Sequence, residues 1–226
     1  MGRIFVVDGT SNAGKTTLCE NLEKNVENIA IIPGASLFAK IHSQRYLNIP
    51  PIPMNADEEK KNQEFFFKLE LDRLVEANKL ASLGKDVFMD RGVLEILSVA
   101  YSFEEIKNWK GIYANARLLY ERFITMAEES KISLPDGHIW LQASSEEVKK
   151  RNKARQIERG KALSENDWIE ASLIDSQIEF FNKLCIPENE KKVYPIDTNY
   201  MTKQNVMEKV CELFNLKEKE MEREND

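Results

Sequence analysis

Short apolar runs alternate with longer amphipathic segments along this chain. Five runs are rich in β-branched or aromatic residues and predict strands at 4–7, 28–32, 86–89, 138–141 and 192–196. Helical spacing of apolar positions predicts helices at 16–26, at 58–82 before Gly84, from about 94 to 130, and from a Ser145 cap to about Gly160. This alternation predicts an α/β three-layer sandwich with a five-stranded parallel sheet covered on both faces.

Ligands of such sheets bind at the carboxyl ends of the strands, so we expect the functional site at that edge. Residues 48–55 carry Pro50, Pro51 and Pro53, which exclude a regular helix. We therefore predict a loop there, on or near the site.

Length and composition favour one domain. The 226 residues are 42% hydrophobic and 31% charged, and the last ten are nearly all charged, so we predict a single domain over 1–214 and a charged tail over 215–226. The net charge of −6 argues against polymeric nucleic acid as a partner. An odd number of cysteines without metal-type spacing points to the reducing cytoplasm, and no apolar stretch is long enough for a membrane span.

Residues 9–16 match the pattern GxxxxGK[ST] in full, between a predicted strand and a predicted helix. Glycines let backbone N–H groups approach phosphates, Lys15 adds a positive charge at the outer phosphates, and Thr16 can ligate Mg²⁺. We predict that nucleotide is bound by this phosphate loop and the residue after it: Gly9, Thr10, Ser11, Asn12, Ala13, Gly14, Lys15, Thr16 and Thr17. Phosphate loops also serve switches and motors, so the loop alone does not define the reaction.

A second group of charges follows the predicted strand at 86–89. Asp90 could hold Mg²⁺ or orient an acceptor, and Arg91 could neutralise phosphate charge. The structural alternative is that Asp90 caps the next helix and Arg91 pairs with a surface acid.

A basic segment over about 150–167 has the composition of a lid. Arg155, Arg159 and Lys161 could close over a transferring phosphoryl group and exclude water. A solvated basic helix face is the alternative interpretation.

Together these motifs resemble the P-loop nucleoside and nucleotide kinases, in particular thymidylate kinases and deoxynucleoside kinases. The likeness spans about residues 3–200 and rests on Val7-Asp8-Gly9, Gly14-Lys15-Thr16-Thr17, Asp72-Arg73, residues 84–87, Asp90-Arg91 and residues 98–101. The lid is similar to the RxxxRxR pattern of deoxynucleoside kinases, with Lys161 in place of the last arginine.

The resemblance implies transfer of a phosphoryl group from ATP, with Mg²⁺, to a small acceptor such as a nucleoside or nucleotide. It implies catalytic roles for Lys15, Asp90, Arg91, Arg155 and Arg159, and a metal site at Thr16 and Asp90. Acceptor contacts are expected from Arg73, Arg91 and Tyr101. Kinases of this kind are commonly homodimers, which we expect here.

One departure concerns the second strand, where these families carry a carboxylate that contacts the acceptor. Here that place reads Ile31-Ile32-Pro33-Gly34. Either Asp90 or Asp8 takes over, or the acceptor is not an ordinary deoxynucleoside. Residues 9–15 also resemble the loop of chloramphenicol phosphotransferases, which keeps an antibiotic acceptor open. Other classes are a nucleotide switch, for which the NKxD and DxxG motifs are absent, and a catalytically weak ATP-binding protein.

Overall fold

A computed structural model describes residues 1–159, 170–185 and 192–219. Its sheet has five parallel strands in the order β2-β3-β1-β4-β5. The strands are β1 Ile4–Gly9, β2 Ile29–Ile32, β3 Asp86–Asp90, β4 Gly137–Gln142 and β5 Val193–Asp197. The predicted fold class is confirmed, including the number of strands and their parallel pairing.

Helices connect and cover the strands. They are α1 Lys15–Asn25, α2 Ala35–Ile41, α3 Ala56–Ser82, α4 Val93–Lys107, α5 Ile112–Glu129, α6 Ser145–Arg159, α7 Ala171–Phe180 and α8 Lys203–Phe214, and a π-helical turn, Phe181–Cys185, continues α7. No helix in these described ranges is long and apolar enough to cross a membrane.

The structure adds three details to the predicted helices. The stretch from 94 to 130 is two helices, because Asn108 and Gly111 take left-handed backbone angles, with φ of 53° and 79°. The side chain that caps α6 is Ser144, not Ser145, since its hydroxyl accepts a hydrogen bond from Glu147 N at 3.2 Å. Helices α2, α7 and α8 were not predicted.

The central strand β1 shows why the fold needs both helical layers. Ile4 and Val6 face a core formed with α3, α4 and α5, whereas Phe5 and Val7 face a second core formed with α1 and α8. Every residue of β1 is buried. A strand buried on both faces reads as a continuous apolar run, which explains why the pattern at 4–7 was visible in sequence.

The first residues of the predicted charged tail are packed against the domain. Lys217 O accepts a hydrogen bond from Glu27 N at 2.9 Å, and Lys219 N donates to Asn25 O at 2.8 Å. The described part of the predicted tail is therefore hydrogen-bonded to the chain around the end of α1. The rest of the tail, from 220 on, lies outside the described residues.

Candidate phosphate-transfer site

The phosphate loop lies between β1 and α1, at the carboxyl edge of the sheet. A Cβ built on Gly9 would lie 2.4 Å from Leu141 O, so the loop fits against β4 only because this position is glycine. Gly14 caps α1 with a left-handed φ of 103°. The loop thus ends on a helix N-terminus, whose free N–H groups and dipole favour an anion.

The Lys15 side chain is buried under the loop and is only 3% exposed. Its Nζ donates hydrogen bonds to Gly9 O at 2.5 Å and to Thr10 O at 2.8 Å. Burial and the nearby Arg91 guanidinium lower the pKa of Lys15 to about 8, although neighbouring carboxylates partly offset them. The site therefore holds a positive charge that a phosphate would stabilise.

Thr16 and Asp90 meet at the ends of α1 and β3. The Thr16 hydroxyl donates to Asp90 Oδ2 at 2.7 Å, and Asp90 Oδ1 is buried without a hydrogen-bond partner among the described residues. A hydroxyl and a carboxylate oxygen are ligands that Mg²⁺ prefers, and an unsatisfied carboxylate oxygen is available for the ion or its water. The residues predicted to hold Mg²⁺ therefore fit that ion.

The Arg73 side chain donates hydrogen bonds to the backbone of the turn that follows β3. It is completely buried, with Nη2 donating to Asp90 O at 2.8 Å, Nη1 to Arg91 O at 3.1 Å, and Nη1 also paired with Glu70. Arg91 has a left-handed φ of 72°, which costs energy for a residue with a Cβ. The structure thus places Arg73 as a support for this turn, whereas we had predicted that it grips the acceptor.

Asp8 also accepts a hydrogen bond from the turn that follows β3. Its Oδ1 accepts a hydrogen bond from Gly92 N at 3.0 Å, and its Oδ2 lies 2.9 Å from His138 Nδ1. Gly92 packs so closely on β1 that a Cβ would lie 2.5 Å from Val6 Cγ1. Because both oxygens of Asp8 are occupied and the side chain is fully buried, the structure does not support Asp8 as the group that orients an acceptor.

Glu95, in the first turn of α4, joins the site although its role was not foreseen. Its Oε1 pairs with Arg91 Nη1, and its Oε2 lies 3.9 Å from Lys15 Nζ. The sequence signal was an acid close after Arg91, within reach of its guanidinium although Arg91 itself precedes α4. It was not decisive, because nothing local links Glu95 to Lys15, which is 80 positions earlier.

Helix α6 brings arginines to the other side of the phosphate loop. Arg155 Nη1 donates to Asn12 Oδ1 at 3.3 Å. Arg151, which we had not singled out, donates to Asn12 O and Ala13 O, both at 3.2 Å, and to Thr198 O at 2.5 Å. The Arg159 side chain and Lys161 lie outside the described residues. One of the predicted lid arginines therefore contacts the loop.

The end of β2 approaches Asp90 as bare backbone. A Cβ built on Gly34 would lie 3.5 Å from Asp90 Oδ2. Any side chain at this position would therefore reach the site, and glycine offers none.

Tyr101 takes its ring contacts from Tyr113 and Phe180, with centroids 5.6 Å and 5.7 Å away, which groups it with the aromatic side chains of α5 and α7.

Comparisons with known proteins bear on the fold. No family model matches this chain, and no curated protein matches it in sequence. Among solved structures, a thymidylate kinase from Candida albicans aligns with a TM-score of 0.68 over 95% of this chain and 91% of that chain, at 15% sequence identity. The likeness shows that the chain shares the five-stranded parallel sheet with helices on both sides that this P-loop kinase has.

Proposed function

We propose that this protein is an ATP-dependent kinase that transfers the γ-phosphoryl group to a small acceptor, a nucleoside or a nucleoside monophosphate. The observation that carries the proposal is the meeting of Lys15, Thr16 and Asp90 at the carboxyl ends of β1 and β3, with Asp90 Oδ1 left unsatisfied. Such an arrangement can bind phosphates and a divalent ion together. The shared fold with a thymidylate kinase supports the same class of reaction.

Phosphoryl transfer asks mainly for positioning and charge neutralisation, because its transition state is loose. Lys15 would exchange the carbonyls of Gly9 and Thr10 for phosphate oxygens. Thr16 and Asp90 would hold Mg²⁺, which, when bound, neutralises charge on the phosphates. Arg91, which pairs with Glu95 after β3, and Arg155 of α6, which bonds to Asn12 of the loop, would stabilise charge that develops during transfer.

The lid predicted over about 150–167, with Arg159, belongs to this proposal. Its first part is α6, which already contacts the phosphate loop through Arg151 and Arg155. The cytoplasm as compartment and a homodimer as assembly also stay part of the proposal, on the sequence grounds given above.

A second candidate is phosphoryl transfer to a small molecule other than a nucleoside, such as an antibiotic. One observation favours it: the end of β2 offers Gly34 beside Asp90, where nucleoside kinases carry a carboxylate. Acceptor identity separates the two candidates.

The test is a panel assay with the full chain, Mg²⁺ and ATP. Nucleosides, nucleoside monophosphates, and aminoglycoside and phenicol antibiotics are incubated separately, and phosphorylated products are identified by mass spectrometry. The proposal expects at least one nucleoside or nucleotide to gain a phosphoryl group in a reaction that needs Mg²⁺. Tight ATP binding without a phosphorylated product from any acceptor would contradict it.

A further inference from the structure

The Glu95 carboxylate is placed between the two cations of the phosphate site. Its Oε1 is paired with Arg91, and its Oε2 faces Lys15 Nζ across 3.9 Å. That Oε2 is buried and has no hydrogen-bond donor among the described residues. A buried carboxylate oxygen without a donor is costly, so this atom has capacity for a hydrogen bond that the protein does not fill.

Two other carboxylates near the site already have other roles. Asp8 uses one oxygen for Gly92 N and the other for His138. Asp90 Oδ2 accepts from Thr16, and the unpartnered Asp90 Oδ1 belongs to the proposed Mg²⁺ site. Of the acids that the described part of the chain brings to the ends of β1 and β3, Glu95 is therefore the one suited to receive a proton from an acceptor.

Lys15 fixes where Glu95 lies along the bound nucleotide. The lysine of a phosphate loop reaches the outer phosphates, so a group 3.9 Å from Lys15 Nζ lies close to the γ-phosphate. A carboxylate and a phosphate in close approach repel each other unless a proton donor lies between them. A hydroxyl group on the acceptor supplies that donor at the point where it attacks.

The same charges distinguish between acceptor types. Arg91 is already paired with Glu95, and both Arg73 Nη atoms are bonded to protein groups under the turn. A phosphate monoester would bring close to two further negative charges beside Glu95. A neutral hydroxyl acceptor avoids that repulsion.

From this geometry we infer that Glu95 is the general base of the reaction and that the acceptor reacts through an uncharged hydroxyl group. This inference rests on the proposed kinase function. The acceptor oxygen forms a bond to the γ-phosphorus while the bond from that phosphorus to the β–γ bridging oxygen breaks. ADP leaves with the electron pair, and the hydroxyl proton passes to Glu95 Oε2 and then to solvent.

The experiment compares wild type, Glu95→Gln, Glu95→Asp and the control Glu105→Gln, an exposed acid on the same helix. The kcat, the KM for the acceptor, the Kd for ATP and the unfolding midpoint are measured for each. General bases contribute about 10²- to 10⁴-fold, so Glu95→Gln is expected to lower kcat by at least about 100-fold. Its Kd for ATP should stay equal or fall, because one negative charge is removed.

Glu95→Asp keeps the charge on a shorter side chain and should lose less kcat than Glu95→Gln. This variant carries the test if Glu95→Gln fails to fold. Glu105→Gln should match wild type. Wild-type kcat in Glu95→Gln, or higher kcat with tighter ATP binding, would overturn the inference and make Glu95 a group that only shields the two cations.

Acceptor choice by the wild type gives an independent readout. We expect nucleosides to be phosphorylated and nucleoside monophosphates to react at least tenfold more slowly. Faster reaction of the monophosphates would overturn the inference while leaving the kinase function in place. Absence of any phosphorylated product would defeat the kinase function itself, and the inference with it.

Discussion

Two regions of the described part of the chain bury ionisable side chains, and they differ in how those side chains are hydrogen-bonded. At the phosphate site, Lys15, Asp90 and Glu95 lie together, and one oxygen of each acid lacks a hydrogen-bond donor among the described residues. Between α3 and α5, Gln63 donates to Glu59 Oε1 at 3.1 Å and accepts from Asn115 at 2.8 Å. The first region keeps hydrogen-bonding capacity unused, whereas the second uses it to join two helices.

This difference separates functional from structural burial of charge. A buried polar group that is fully hydrogen-bonded rigidifies a core. A buried polar group with an unfilled donor or acceptor either binds a ligand or is a source of strain. Glu59 and Glu95 are both glutamates on helices, so their identity alone does not tell the two cases apart. Their surroundings do, and the following predictions test whether that distinction holds.

The largest effect is expected from Arg73→Met. It would leave Glu70 buried without its partner and would free the carbonyls of Asp90 and Arg91. Removing one member of a buried pair costs about 3–5 kcal/mol, so unfolding in urea should show a loss of that size. The control is Arg45→Met, whose arginine is 62% exposed and pairs with Asp72, where a loss below about 1 kcal/mol is expected. Equal losses would mean that Arg73 does not support the turn.

Lys15→Met should lower turnover by roughly 10³-fold, because it removes a preorganised charge at the outer phosphates. The same change removes a buried ammonium group, so the unfolding midpoint should fall much less than the loss of turnover would suggest. The control is Lys24→Met, an exposed lysine on α1. Steady-state kinetics of phosphorylated product checks the prediction, and near-normal kcat in Lys15→Met would place the reaction elsewhere.

Asp90→Asn is expected to lower kcat by about 10²-fold and to raise the Mg²⁺ concentration needed for half-maximal rate. The amide keeps the shape and can still accept from Thr16, but it loses the negative charge that favours the ion. Kinetics across a Mg²⁺ titration is the measurement. Asp197→Asn, at the carboxyl end of the edge strand β5, serves as the matched control. An unchanged Mg²⁺ dependence would remove Asp90 from the metal site.

The smallest effect, and one of opposite sign, is expected from Glu59→Gln. Burial raises the pKa of Glu59 to about 7, although Gln63 and Lys107 favour its charged form. The folded protein therefore holds this proton more tightly than the unfolded chain, so wild-type stability should fall as pH rises from about 4.5 to 7. Glu59→Gln should be more stable than wild type by about 2 kcal/mol at pH 8 and should lose that advantage near pH 4.

Urea unfolding of wild type and Glu59→Gln at pH 4, 6 and 8 checks this prediction. Glu64→Gln, an exposed neighbour on α3, should show no such dependence on pH. A lower stability of Glu59→Gln than of wild type at pH 8 would show that Glu59 is needed in its charged form. The contrast drawn between Glu59 and Glu95 would then fail.

A feature of this protein could be predicted from the sequence when the residues that form it are close together along the chain. The phosphate loop is contiguous, and the strand that precedes it is buried on both faces, so both are visible in the pattern. The contacts of Arg73 are not visible in this way, because a buried arginine under a turn and an exposed arginine facing a substrate have the same sequence signal. Arg151 was missed for a similar reason, since its partner Thr198 follows the last strand.

The site carboxylate shows the same limit. The end of the second strand lacks an acid, and Asp8 and Asp90 were the expected replacements. The parallel register of β1 and β3 instead brings the first turn of α4 against Lys15, which adds Glu95. The register of the strands and the direction of α4 place Glu95 beside Lys15, and no short sequence motif encodes either of them.

We propose that the unsatisfied polar groups at the ends of β1 and β3 belong to a phosphoryl-transfer site. We would follow MgATP with a mixture of nucleosides and nucleoside monophosphates by ³¹P NMR in the presence of the wild type and of Lys15→Met. With the wild type, the γ-phosphate signal should fall while the signal of the phosphorylated acceptor rises by the same amount, and both changes should be lost in Lys15→Met. An unchanged γ-phosphate signal with the wild type, or equal transfer by Lys15→Met, would contradict it.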